Sequence, residues 1–218
     1  MERGVNSSNP WVEIAQLAKD DVDYPSALDR YLGAQAPAAL ATLGQRDLLG
    51  QNALALFCSV KCPGTAILRA YDLVRALRDA GTPVIGGFQS PMERECLALL
   101  LRGSGPVIVC PARDIHGMRV PHEWRGPLAE GRLLVLAPFD EGQRRATTAR
   151  ATARNLLVAV LAGEVLIPYA APGGKTEALA RTVVAWGKRL VTVESADNVN
   201  LTGIGAEAVG MAYKPGWE

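Results

Sequence analysis

From residue 53 onward, short apolar runs repeatedly end in a small residue and lead into a longer segment with helical periodicity. "ALALFCS" (residues 53–59) precedes "TAILRAYDLVRALRDAG" (65–81), where Ile67, Leu68, Tyr71, Leu73, Val74 and Leu77 recur at helical spacing. Gly81 stands where a helix C-cap glycine belongs. "TPVIGGF" precedes "SPMERECLALLLRG", in which Ser90, Pro91 and Glu93 fill the cap, first and third positions of a capping box. "GPVIVCPA" and "GRLLVLAPF" read as two more strands, and "ATTARATARNLLVAVLAG" as a helix. "EVLIPYA", "GKTEALARTVVAWG" and "KRLVTVE" complete the series as strand, helix, strand. Strands that alternate with helices need right-handed crossovers, which build a mostly parallel sheet. The expected class is therefore α/β, a doubly wound sheet with helices on both faces.

What precedes and follows this region is less regular. Residues 1 to about 20 suggest a loose tail and a short helix, and 1–50 together a helical lead-in packed on the core. The main domain is expected over 51–207, with "NVNLTGIGAEAVGMAYK" as a polar closing segment and 208–218 as a tail. The 218 residues are 49% hydrophobic, enough for one sizeable core and against disorder. A net charge of +1 excludes a bulk polycation, so any nucleic-acid contact must be a local patch. The opening residues carry no long apolar stretch, and Leu156 to Ala162 is far short of a membrane span. A cytoplasmic location and no membrane partner are expected.

Cys58, Cys62, Cys96 and Cys110 form no CxxC pair, and His116 and His122, both in the loop after the third strand, are the only histidines. The thiols read as packing groups, and neither a metal nor a cofactor is expected. Trp11, Trp124, Trp186 and Trp217 are scattered, without the basic–aromatic interleaving of RNA-binding segments. No GxGxxG fingerprint is present, which disfavours a dinucleotide.

In parallel α/β sheets, ligands bind beyond the carboxyl ends of the strands near a topological switch point. Five loops place small or charged residues there: "CSVKCPG", "GGFQSPME", "PARDIHGM", "APFDEGQRR" and "APGGKT". The last ends like a nucleoside-triphosphate loop. That motif needs a glycine five residues before the Gly-Lys pair, and Tyr169 stands there instead. The weaker reading is that Gly173 and Gly174 turn backbone amides toward an anion, helped by Lys175 and Thr176. A plain strand-to-helix turn explains the same glycines. Gly86, Gly87 and Ser90 repeat the arrangement and read as a phosphate-facing loop. Ser59 and Lys61 follow the first strand of the main domain. Arg144, Arg145, Arg150 and Arg154 lie close together, and Arg154 with Asn155 runs directly into a core helix; guanidinium groups fork onto phosphate oxygens. The candidate ligand set is thus Ser59, Lys61, Gly86, Gly87, Ser90, Arg154, Asn155, Gly173, Gly174, Lys175 and Thr176, with no catalytic residue assigned.

The order of these segments, over roughly residues 23 to 207, resembles the DNA-processing protein A (DprA, or Smf) family, a Rossmann-like group related to the Lonely Guy enzymes. "DYPSALDRYLGAQAPAALATLG" is similar to its lead-in, "ALALFCS" to its first strand and turn, and "IGGFQSPMERECL" to its Ser-Gly-x-Ala-x-Gly-Ile-Asp segment. "ARNLLVAVLAGEVLIPYA" resembles its Arg-Asn-Arg helix and following strand, and "NLTGIGAEAV" its closing segment. The resemblance implies a Rossmann-like core that binds single-stranded DNA in a basic pocket, hands it to the RecA recombinase and forms a homodimer. Gly87 would be the pocket glycine, Glu93 would stand for the family Asp, and Arg154 and Asn155 would match the Arg-Asn pair. The family His is Leu97 here, and the second Arg is Leu156. A binding protein is expected rather than an enzyme. The alternatives are a Lonely Guy-like nucleoside-monophosphate phosphoribohydrolase using Glu93 or Glu177, or a nucleotide-sensing domain. "PGGKTEA" lacks the second glycine step of the Lonely Guy signature, which turns Glu177 by about 200° around the helix.

Overall fold

The computed structural model describes residues 13–217. Trp11, with the first twelve residues of the tail and helix expected over residues 1 to about 20, and Glu218 lie outside the described residues.

The six expected strands all form: β3 (Leu54–Leu56), β4 (Val84–Gly86), β5 (Val107–Val109), β6 (Leu133–Ala137), β7 (Glu164–Leu166) and β8 (Arg189–Val193). They pair in parallel in the order β6-β5-β4-β3-β7-β8. Every residue of β3 to β7 is buried, as expected of parallel strands covered on both faces. Residues of each strand alternate between two cores. Leu54 and Leu56 face the core shared with α2 (Gly64–Ala80), α3 (Pro91–Leu100) and α4 (His122–Ala129). Ala53, Ala55 and Phe57 face the core shared with α1 (Ala27–Leu32), α5 (Thr148–Leu161), α6 (Lys175–Ala185) and α7 (Val199–Gly203). The doubly wound, mostly parallel sheet is thus the observed architecture.

Three strands were not expected. β1 (Ala15–Ala18) replaces the helix anticipated near residue 20, and β2 (Ala39–Gly44) lies within the lead-in read as helical. Both are antiparallel and extend the sheet beyond β6, β1 pairing with β2 and β2 with β6. In β1 only Leu17 is buried, too short a pattern to show a period of two. β2 is Ala- and Leu-rich, a composition that favours helix in isolation and is overridden by pairing with β6. β9 (Glu207–Val209) adds a parallel strand beside β8 inside the segment read as polar closing, and α7 precedes it. His122, placed by the sequence in a loop, opens α4. No helix among the described residues is long and apolar enough to cross a membrane.

The direction in which strands are added reverses at β3, with every strand from β3 to β9 still parallel: β4, β5 and β6 build outward on one side, β7, β8 and β9 on the other. The switch point lies between β3 and β7. A ligand crevice is expected outside their carboxyl ends.

Candidate phosphate-binding cleft

A cleft of about 490 Å³ occupies that position. Ser59 and Lys61 enter it from the loop after β3, Ser90 from the cap of α3, Arg154 and Asn155 from α5, and Lys175 and Thr176 from the start of α6. Seven of the eleven candidate residues therefore converge. Gly86, Gly87, Gly173 and Gly174 do not line it.

Ser59 joins the two sides of the switch point. Its N–H donates to the Tyr169 carbonyl, and its Oγ accepts the Ala171 N–H at 2.9 Å. Arg154 is 3% exposed. Its Nη1 donates to the Cys110 carbonyl at 2.7 Å, Nη2 to Gln89 Oε1 at 3.1 Å, and Nε to Asn155 Oδ1 at 2.8 Å. All three acceptors are neutral. Among the described residues no carboxylate lies within ion-pair distance of this guanidinium. Burial lowers its pKa, which marks the cost of holding the charge there, while Cys110 and the more distant Glu93 act in the other direction. Buried charges are normally paired, so a guanidinium at the edge of an open cleft without an ion-pair partner among the described residues is an unusual arrangement. Lys61 and Lys175, both exposed, add mobile cations to the rim.

The glycines have other work. A Cβ on Gly87 would fall 1.4 Å from Arg154 Nη1, so this position clears space for the guanidinium rather than presenting an amide. A Cβ on Gly86 would press on the Phe88 ring at 3.0 Å. The Gly173 N–H donates to Glu177 Oε2 at 2.9 Å, and the Gly174 N–H to the Ala171 carbonyl at 2.9 Å. This corrects the expectation that the 173–174 amides face an external anion: the chain supplies its own. The same device closes α3. Glu93 Oε2 accepts the Gln89 and Ser90 N–H groups, its Oε1 accepts the Cys58 N–H, and Ser90 Oγ accepts the Glu93 N–H, completing the expected capping box. Both helix starts that the sequence offered to phosphate therefore hold an internal carboxylate at their third position. Ser90 contributes to the cleft wall, with its hydroxyl engaged in the cap.

Sequence reasoning missed Gln89, which anchors Arg154, and Asn200 of α7. Asn200 Nδ2 donates to the Ala170 carbonyl and to Glu177 Oε2, tying the closing segment to the loop after β7. The Asn200 amide, Arg181 and the Gly173 N–H together hold the Glu177 carboxyl down to about 2. A carboxyl depressed in the folded state stabilises above its unfolded pKa of about 4.3, and that contribution is lost as pH falls toward the folded value. Glu177→Gln should therefore lower the melting temperature at neutral pH. The gap from wild type should narrow between about pH 4.5 and 2, as a thermal unfolding series across that range would show.

Neither Glu93 nor Glu177 is placed as a free acid or base, since each carboxylate is engaged by several donors. Burial pushes the Cys110 thiol up to about 12 and raises that of Cys96; hydrogen bonding to Cys62 and burial raise that of Cys58. These three keep their protons and pack, and all four cysteines are free. Among the described residues no group of three or more His, Cys, Asp or Glu side chains could hold a metal ion. His116 donates or accepts through Nδ1 with the buried Asp114 at 2.6 Å, away from the cleft lining.

A family profile described as DNA recombination-mediator protein A matches residues 15–209. The fold is similar to DNA processing protein A from Streptococcus pneumoniae, with a TM-score of 0.74, 16% identity, and coverage of 92% of this chain and 72% of that one. It is also similar to DNA processing protein A from Helicobacter pylori, described for its single-stranded DNA binding mode, with a TM-score of 0.71, 17% identity and 90% of each chain covered. A molybdenum cofactor carrier protein from Chlamydomonas reinhardtii matches with a TM-score of 0.50 and 13% identity, over 74% of this chain and 92% of that one. At these identities the structural matches speak to fold alone. No curated protein matches the sequence.

Proposed function

We infer, from the premise that this chain belongs to the DNA recombination-mediator protein A family, that its cleft takes the phosphate groups of single-stranded DNA. The observation that carries this reading is Arg154, a buried guanidinium without an ion-pair partner among the described residues, at a cleft whose rim carries Lys61 and Lys175. A backbone phosphate supplies the missing counter-charge. The rim lysines then add affinity without selecting sequence, because phosphate contacts carry no base information. The family member described as binding single-stranded DNA shares the fold over 90% of both chains. An enzymatic reading is less well served, because the carboxylates it would need are committed to backbone amides.

The test is a titration of labelled oligonucleotide at several salt concentrations. Each phosphate contact on a single strand contributes about 0.7 to the slope of log affinity against log salt. The variant Lys61→Ala, Lys175→Ala should flatten the slope by about 1.4 while leaving the melting temperature unchanged, since both side chains are exposed. Wild-type protein that ignores single-stranded DNA at low salt would remove the reading. Hand-over of DNA to the RecA recombinase, homodimer formation and a cytoplasmic location are proposed on the family resemblance; co-precipitation with RecA, sedimentation and cell fractionation test them.

A further inference from the structure

The loop over residues 58–62 separates the phosphate cleft from a second depression of about 680 Å³ on its other side, between the starts of α2 and α3. Val60 and Lys61 line both. The two cavities differ in chemistry. The cleft gathers Lys61, Lys175, Ser59 and Thr176 around Arg154, against an apolar floor of Phe57, Ala171 and Leu179. The groove is walled by Ile67 and Tyr71 of α2, Met92 of α3, and Tyr169 from the loop after β7. Tyr71 and Tyr169 both line the groove and are only partly buried. Val60 is 72% exposed at the crest, an apolar side chain held in water between the two. Arg94 and Glu95 stand at the rim.

A single strand has two chemically different edges, a phosphate backbone and a row of unstacked bases. Proteins that hold it pair a basic groove for the first with aromatic faces for the second. The separation across the 58–62 loop matches that division, with Lys61 shared at the boundary. We propose that the groove bounded by Tyr71, Met92 and Tyr169 receives unpaired bases of the same single strand whose phosphates occupy the Arg154 cleft. This rests on the phosphate-cleft reading above and extends it from the backbone to the bases. Val60 acts as the apolar crest over which the nucleotide passes. Glu95 can accept a hydrogen bond from a base N–H, such as thymine N3–H, and repels phosphate, which favours placing the backbone on the Lys61 side.

The test compares a labelled oligothymidylate of about 20 nucleotides with an abasic deoxyribose-phosphate oligomer of the same length, longer than the ~4–16 nucleotides that single-strand sites cover. Wild-type protein should bind the thymidine oligomer at least fivefold more tightly, with equal salt slopes for the two. Tyr71→Ala and Tyr169→Ala should each weaken thymidine binding by about fivefold to a hundredfold, with the salt slope unchanged, and the corresponding Phe variants should restore it. The abasic comparison uses unaltered protein, so it stands even if an alanine variant folds poorly. Equal affinity for the two oligomers overturns the base groove alone, keeps the phosphate cleft, and leaves the groove to another occupant such as an apolar peptide. No binding of either oligomer at low salt overturns both.

Discussion

Gly87→Ala is expected to destabilise the protein by about 2–4 kcal/mol and to weaken single-stranded DNA binding more than tenfold, although the change adds one methyl group. An added Cβ would meet Arg154 Nη1 at 1.4 Å, Cζ at 1.9 Å and Nη2 at 2.5 Å, so the guanidinium has to leave its seat. A surface arginine would swing aside at little cost. This one is fixed by Cys110, Gln89 and Asn155, and hydrogen bonds to charged groups contribute about 1.5–3 kcal/mol each. Displacing it breaks at least one of them while the charge stays poorly hydrated. In a domain of this size such a loss lowers the melting temperature by roughly 5–15 °C. Gly173→Ala is the matching control. Gly173 has φ of +69°, and a Cβ there meets nothing within 4 Å, so the cost is the left-handed strain alone, about 1–2 kcal/mol. Oligonucleotide affinity should be kept in Gly173→Ala and lost in Gly87→Ala. Equal effects in the two variants would show that Gly87 has no special tie to the cleft.

The two glycine pairs look alike in the sequence and differ in space, which bears on how much could be read in advance. Strands β3 to β7 were legible because each is buried on both faces and so appears as a mostly apolar run, and β8 because all but its first residue is buried. The ends of the sheet were not. β1 shows one buried residue, β9 has three residues with one buried, and α4 carries Gly126 and Pro127 inside it. The meeting of Ser59, Lys61, Ser90, Lys175 and Thr176 followed from the rule that strand carboxyl ends and the helix starts after them meet, whereas Arg154 and Asn155 reach the cleft from within α5, and the loops after β5 and β6 stay outside it. What each glycine touches is a different kind of fact. Gly87 matters because of an arginine on α5, and Gly173 because of a carboxylate that Asn200 of α7 also holds. A local pattern of glycine followed by a helix start implies free amides. It does not reveal that a glutamate at the third helical position turns back to take them. The Ser90–Glu93 capping box is visible in the sequence, and a helix start satisfied in this way has less to offer a phosphate.

Arg154→Met separates binding from folding more sharply. Affinity for single-stranded DNA is expected to fall by about a hundredfold, with stability within about 1 kcal/mol of wild type. Two terms oppose each other in the fold. Removing the guanidinium relieves the burial of a charge that meets no carboxylate at ion-pair distance, and replacing buried ionic groups by apolar ones of similar volume is often neutral or stabilising. Against this, the Cys110 carbonyl and the Gln89 amide lose a donor, at about 1–3 kcal/mol for a buried group left unsatisfied, less where the exposed Gln89 turns to water. Near cancellation is the outcome for a residue kept for its ligand. Arg154→Lys distinguishes charge from shape: it keeps the cation and loses the planar fork, so it should recover part of the affinity at most. Thermal unfolding beside an oligonucleotide titration reads both quantities on one sample. Full binding by Arg154→Met would show that the cleft does not take phosphate at this position. A stability loss as large as that of Gly87→Ala would instead make the guanidinium a piece of scaffold, because the fold would then depend on a charge it has no other reason to bury.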